Sequence, residues 1–97
     1  METVNYRIDG IDLASRAKAM LHRIEIEKLI YSGKMVLIDL SHLKSMTRGY
    51  ADELFSILVV KIGLNKFADH VRIIANSNIL EVIAITIKIR QDDKNER

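Results

Sequence analysis

The sequence predicts a small α/β domain, in which helices pack against a central, mostly parallel sheet. Apolar runs typical of strands alternate along the chain with segments whose apolar residues recur at helical spacing. This alternating order is typical of α/β folds. A length of 97 residues is enough for one hydrophobic core and too short for two. We therefore predict a single domain over residues 1–97.

The first half of the chain is predicted to hold two strands with a helix between them. Residues 4–8 alternate between apolar and polar side chains, as a half-buried strand does, and an Asp-Gly turn follows. Asp12 is the predicted N-cap of the helix. The helix is expected to bury one apolar stripe, made of Leu13, Ala17, Met20, Leu21, Ile24 and the stem of Lys28. Residues 35–40 are almost all apolar, which predicts a strand buried on both faces.

The second helix is predicted after a connecting loop at residues 41–48, and it should end near Gly63. Its apolar residues recur at helical spacing and comprise Tyr50, Ala51, Leu54, Phe55, Leu58 and Ile62. Another strand is predicted within residues 70–75, where Val-Arg-Ile-Ile stands.

The last apolar segment, residues 79–90, fits both strand alternation and a helical stripe. We favour a helix, because residues 76–78 supply N-cap side chains and no hairpin turn precedes the segment. Residues 91–97 are charged or polar throughout, which predicts a frayed tail.

Composition and charge exclude several functional classes. The fifteen basic and thirteen acidic residues leave a net charge of +2, and the basic residues are spread along the chain, so no nucleic-acid partner is expected. The chain has no cysteine, which excludes disulfides, thiolate zinc sites and thiol nucleophiles. No apolar segment approaches the roughly 18 residues that a membrane helix needs. We expect a cytoplasmic protein without a membrane role.

The sequence also lacks the common patterns of catalytic, cofactor and metal sites. The three histidines, His22, His42 and His70, lie far apart, without the short spacing of metal ligands. Neither a glycine-rich phosphate loop nor a nucleophile elbow occurs. We therefore expect no metal, no cofactor and no enzymatic activity.

Arg16 is unusual because a cation in the first turn of a helix opposes the helix dipole. A carboxylate partner would offset that cost, and Asp39, Asp52 and Glu53 are the candidates. These residues form a predicted polar cluster. Two interpretations remain open, a structural ion pair and a ligand or substrate site.

Two stretches of the sequence carry a resemblance to a known family. The first is residues 13–19, with Ser-Arg near the start of the first helix. The second begins with the apolar strand 36–40, which ends in Asp and an apolar residue, and runs on to the aromatic-Ala-Asp-Glu-Leu-Phe motif at residues 50–55, the most specific part. Together they resemble the STAS-like family of unknown function, and the resemblance covers about residues 13 to 90.

More distantly, the chain resembles the anti-sigma-factor antagonists, whose partners are ATP-binding kinases of the histidine-kinase type. In those antagonists a serine at the start of the second helix is phosphorylated, which breaks the complex. Its counterpart here is at or next to Gly49, which has no hydroxyl, although Ser45 and Thr47 lie in the same loop. The resemblance implies a partner contact at Ser45, Thr47, Arg48, Gly49 and Tyr50.

These observations lead to two hypotheses of function. The first is a non-catalytic regulatory module that docks an ATPase or kinase partner, or another subunit. The second is a small nucleotide-binding protein or enzyme that uses the predicted polar cluster. A homodimer is also expected, because the second helix is apolar beyond one stripe and the last helix is rich in isoleucine.

Overall fold

The computed structural model describes the backbone of residues 1–95 and the side chains of residues 1–93. The first half holds β1 Thr3–Arg7, β2 Asp12–Leu13, α1 Arg16–Tyr31, β3 Met35–Asp39 and β4 Ser45–Met46. The second half holds α2 Arg48–Ala51, a π-helical turn Asp52–Ser56, α3 Ile57–Ile62, α4 Leu64–His70, β5 Val71–Ile74 and α5 Ser77–Asn95. The predicted α/β class is confirmed.

The central sheet has the strand order β1-β3-β5, and both pairings are parallel. This confirms the predicted parallel sheet. The two-residue strands β2 and β4 form a second parallel pair, in which Leu13 lies opposite Met46. This small pair joins the segment that precedes α1 to the segment that precedes α2, and so holds the starts of two helices side by side.

The two faces of the central sheet differ in burial. Val36 and Ile38 on β3 are fully buried, and α1 packs against this strand. The opposite face carries Leu37, half-buried, between Asn5 and Arg72, which are exposed. The prediction that β3 is buried on both faces is therefore wrong. The alternation of side chains along a strand leaves one face of the sheet partly open to solvent.

The start of α1 differs from the prediction. Ser15, not Asp12, is the N-cap, because its Oγ accepts a hydrogen bond from the Lys18 amide at 3.2 Å. Asp12 belongs to β2, where its carboxylate accepts a hydrogen bond from the hydroxyl of Ser45. The pairing of β2 with β4 therefore delays the helix by three residues.

The predicted buried stripe of α1 faces solvent instead. Met20, Leu21 and Ile24 are 42%, 59% and 37% exposed, and Ala17 is exposed as well. The buried face is made of Ala19, Arg23, Ile26, Glu27 and Ile30. The helix carries apolar residues on two faces, and the face that enters the core also buries an oppositely charged pair. We call Ala17, Met20, Leu21 and Ile24 the outer stripe.

The second helix is a continuous segment over residues 48–62, made of α2, the π-helical turn and α3; we call it the central helix. It begins at Arg48, which was predicted to lie in the preceding loop, because the Thr47 Oγ1 caps the helix by accepting from the Tyr50 amide at 3.2 Å. The central helix contacts α1 on one side and α5 on the other. Its apolar surplus, one premise of the homodimer prediction, is therefore largely covered within the chain.

The second half contains one helix that the periodicity did not predict. α4 runs over Leu64–His70, so that β5 begins at Val71. The preference for a helix in the last segment is confirmed, since α5 spans Ser77–Asn95 and the Asn76 side chain caps it by accepting from the Ile79 amide at 2.9 Å. Five residues of the predicted frayed tail belong to this helix, and residues 96–97 lie outside the described part.

Candidate functional site

A cleft lies between the central helix and the second half of α5. Its volume is about 610 Å³, and its charged lining consists of Arg16, Arg48, Arg90, Asp52 and Asp93. Three guanidinium groups face two carboxylates, which leaves one positive charge in excess. Val60 and Ile89 supply an apolar part of the wall. We call this cleft the arginine groove.

Asp52 is the centre of the charges in the arginine groove. Arg90 binds it with two parallel hydrogen bonds, from Nε to Oδ1 at 2.7 Å and from Nη2 to Oδ2 at 2.6 Å. Arg16 adds a third, from Nη1 to Oδ2 at 3.1 Å. The paired geometry of Arg90 suits the planar carboxylate, which makes it the stronger of the two partners.

Arg16 thus has the carboxylate partner that its place in the first turn of α1 demands. Its Nη1 also lies 3.9 Å from Oε1 of Glu53. The Arg16 side chain is 55% exposed, so its ion pairs contribute on the order of 0–1 kcal/mol, as surface pairs do. Gly49 allows the close approach, since a Cβ at that position would lie 3.3 Å from Nε of Arg16.

Acid should remove the contribution of Asp52 to stability. The hydrogen bonds from Arg90, and after them those from Arg16, hold the pKa of Asp52 below its ordinary value of 3.8, although burial acts in the opposite direction. Because the folded pKa is the lower one, the stabilisation is complete above about pH 4 and is lost as the pH falls through the folded pKa. Asp52→Asn should therefore destabilise the protein at pH 7, and the destabilisation should shrink as the pH falls from 7 to below the ordinary value of 3.8. Urea unfolding of both proteins across that range measures the difference, and a difference independent of pH would contradict the assignment.

Arg23 makes a second, more buried network between α1 and the central helix. Its Nε donates to the backbone carbonyl of Glu53 at 3.0 Å, and its Nη2 donates to Oε2 of the same residue at 3.1 Å. Its Nη1 donates to Oε2 of Glu27 at 3.3 Å. Lys61 Nζ lies 3.4 Å from the other Glu27 oxygen. Glu53 therefore serves both arginines of α1, Arg16 at the groove and Arg23 inside the fold.

Asp39 lies apart from the predicted polar cluster, which corrects that part of the prediction. Its Oδ1 accepts hydrogen bonds from the Ser41 hydroxyl at 2.6 Å and the Ser41 amide at 3.0 Å, and these lower the pKa of Asp39. Arg7 lies 3.6 Å from its other oxygen. A local turn satisfies this carboxylate, and the structure brings together only Arg16, Asp52 and Glu53.

The five residues of the predicted partner contact differ in accessibility. Ser45, Thr47 and Arg48 are exposed, and Gly49 is half-buried. Tyr50 is 1% exposed, so that its inclusion in the contact is corrected. Its ring packs in the core, 6.5 Å from the ring of His22, because the aromatic side chain turns inward from the first turn of the central helix.

Two groups of residues that contribute to these networks were not identified from the sequence. Arg90 stands 38 positions after Asp52, and no spacing rule connects them. Arg23 and Glu27 stand four residues apart with opposite charges, which is a recognisable helical pair. This i, i+4 spacing could have indicated that Arg23 and Glu27 form a pair. The outer stripe has the same helical spacing and is more apolar, so it was predicted to be the buried face instead.

Among the side chains of residues 1–93, no group of three or more His, Asp or Glu residues is arranged to hold a metal ion. Over the same part of the chain, no helix is long and apolar enough to cross a membrane.

Comparison with known proteins identifies the family. A search among curated proteins and a search among solved structures each found no match. The family model described as a STAS-like domain of unknown function matches residues 19–81, which is more than half of the chain. The matched segment holds most of α1, the strands β3 and β5, the central helix and the start of α5. The chain therefore belongs to the family of STAS-like domains of unknown function.

Proposed function

We propose that this domain is a non-catalytic regulatory module that docks a protein partner through Ser45, Thr47, Arg48 and the adjoining arginine groove. The observation that carries the proposal is Arg48, an exposed guanidinium at the start of the central helix with no ion-pair partner among the described residues. It adds to the positive end of the helix dipole. An acidic surface on the partner complements this charge.

The pairing of charges in the groove supports binding rather than catalysis. A general acid or base works best with a pKa near the working pH. The pKa of Asp52 lies below its ordinary value, and therefore further from neutral pH, because Arg90 and Arg16 stabilise the carboxylate. The groove is therefore better suited to holding charges in place than to moving protons.

The hydroxyl groups near Gly49 already have structural partners. The Thr47 Oγ1 caps the central helix, and the Ser45 hydroxyl donates to Asp12 at 2.5 Å. Since Gly49 itself cannot be phosphorylated, we propose a constitutive complex with a cytoplasmic partner of the ATP-binding, histidine-kinase type. This partner class rests on the likeness to anti-sigma-factor antagonists, which is an analogy of fold.

Reversing the charge of Arg48 should abolish capture of the partner. Wild type, Arg48→Glu and Arg72→Glu serve as baits; Arg72 is exposed on the open sheet face, so that this control has the same change in net charge. We expect wild type and Arg72→Glu to retain the same partner and Arg48→Glu to lose it by at least tenfold, with wild-type capture weakening as salt rises. Undiminished capture by Arg48→Glu would place the interface elsewhere. A gain of one phosphate at Thr47 or Ser45 after incubation with partner and ATP would overturn the constitutive complex.

A nucleotide is the second candidate ligand, because the volume of about 610 Å³ and three guanidinium groups of the arginine groove would suit a phosphate-bearing small molecule. A thermal-shift series with ATP and GTP separates the two functions. A ligand at 100 times its dissociation constant stabilises the fold by about 2.7 kcal/mol. A shift that Arg48→Glu removes would favour the nucleotide.

A further inference from the structure

The outer stripe of α1 is an apolar surface that the fold leaves uncovered. Met20, Leu21 and Ile24 are more than a third exposed, and together with Ala17 they form one continuous line on the helix. The opposite face of α1 already supplies the contacts to β3 and the central helix. The outer stripe therefore contributes little to the core of a single copy, and its apolar side chains remain in contact with water.

The charges beside the outer stripe are complementary to themselves. Lys18 follows Ala17 and Glu25 follows Ile24, so that both lie about 100° round the helix from the stripe, on the same edge. They are two turns apart along α1, or about 10 Å. Consider a second copy of α1 that packs antiparallel to the first, with the twofold axis passing between Leu21 and His22. In this arrangement each Lys18 lies opposite the Glu25 of the other copy. Two equivalent ion pairs then flank the apolar contact.

Glu25 is positioned to make that contact. Its Oε2 accepts a hydrogen bond from the hydroxyl of Tyr6, which also contacts Nδ1 of His22 at 3.0 Å. The bond from Tyr6 orients the carboxylate and leaves its second oxygen for a cation. A partner with a different charge pattern would not satisfy both Lys18 and Glu25, whereas a second copy does so by symmetry.

We infer that the outer stripe is an interface between two copies of this chain, in which two α1 helices pack antiparallel. The contact is centred on Leu21, with Met20 and Ile24 beside it and the Lys18–Glu25 pairs at its edge. Helices that pack in this way lie about 8–10 Å apart. The interface is separate from Arg48, so that a dimer would present two docking surfaces.

Sedimentation equilibrium tests the interface. Wild type should show a reversible monomer–dimer equilibrium in the micromolar to high micromolar range. Leu21→Glu should be monomeric with unchanged circular dichroism, whereas Leu80→Glu, which alters another exposed leucine on α5, should still dimerise. A wild type that stays monomeric at high micromolar concentration, or a Leu21→Glu variant that dimerises as well as wild type, would overturn the inference.

Charge reversal tests the register of the two helices. Lys18→Glu alone should weaken the dimer several-fold, because it places like charges opposite each other. The double variant Lys18→Glu/Glu25→Lys restores opposite charges across the interface and should recover most of the wild-type affinity. Failure of the double variant to recover affinity beyond Lys18→Glu would contradict this register.

Engineered disulfides test the orientation, since the natural chain has no cysteine. About the proposed centre, the two copies of residue 21 are offset by only about 1.5 Å along the helix axis, and those of residue 28 by about 20 Å. Mild oxidation should therefore link Leu21→Cys into covalent dimers and leave Lys28→Cys monomeric. Equal cross-linking of both variants would indicate parallel helices, and no cross-linking of either would remove the proposed contact.

Discussion

Replacement of Arg23 with alanine should lower the free energy of unfolding by about 3–5 kcal/mol, the usual effect of removing one partner from a buried ion pair. The Arg23 side chain is only 8% exposed, and its guanidinium makes three hydrogen bonds to Glu27, Glu53 and the Glu53 carbonyl. Its loss would remove these hydrogen bonds from the buried carboxylate of Glu27, the half-buried carboxylate of Glu53 and a backbone carbonyl. Chemical denaturation at neutral pH measures the change.

Two further variants make the Arg23 experiment specific. Arg23→Lys keeps the charge but replaces a planar fork with a single ammonium, so it should recover only part of the loss. Lys88→Ala removes an exposed i,i+4 pair with Asp92 on α5 and should cost less than about 1 kcal/mol. If Arg23→Ala cost no more than Lys88→Ala, the network would not hold α1 to the central helix.

Phe55→Ala should destabilise the protein by about 3–5 kcal/mol, because it removes a large buried side chain and leaves a cavity. Phe55 is fully buried within the π-helical turn, where the central helix contacts both α1 and α5. A loss of this size is a large part of the roughly 5–15 kcal/mol that stabilises a typical domain. Thermal and urea unfolding should both shift toward the denatured state.

The matched control for Phe55 is Val60→Ala, five residues further along the same helix. Val60 lines the arginine groove and is exposed to solvent, so its truncation should change the free energy of unfolding by about 0.5 kcal/mol or less. Equal losses in the two variants would mean that burial within the π-helical turn does not decide the effect.

The elements that could be predicted are those with a strong local signal. β3 and β5 are short apolar runs, and α5 follows an asparagine that caps it. α4 was missed because none of its residues is fully buried, which leaves no clear apolar stripe. The π-helical turn was missed because it adds only one residue to a single turn. That change is too small to alter an apolar pattern with a period of 3.6 residues.

The candidate site could be predicted only in part. A first-turn arginine requires an offsetting charge, and that requirement led to the pairing of Arg16 with Asp52 or Glu53. The same argument included Asp39, but the hydroxyl and amide of Ser41 satisfy that carboxylate two residues away. A carboxylate can therefore be satisfied by a nearby polar residue instead of a distant arginine. The presence of a charge in the sequence does not show which of the two partners it has.

The sequence by itself determined the class of fold and the order of most elements, because these depend on periodicity and caps within one turn or strand. The resemblance of residues 13–19, 36–40 and 50–55 indicated the family. The tertiary structure alone decided which face of α1 enters the core and that Arg90 completes the arginine groove. Both faces of α1 repeat at helical spacing, so the choice depends on which one meets β3 and the acceptors of Arg23. Arg90 reaches Asp52 only because α5 packs beside the central helix. Contacts between distant segments depend on how whole helices and strands pack against each other. No single position in the sequence shows that packing.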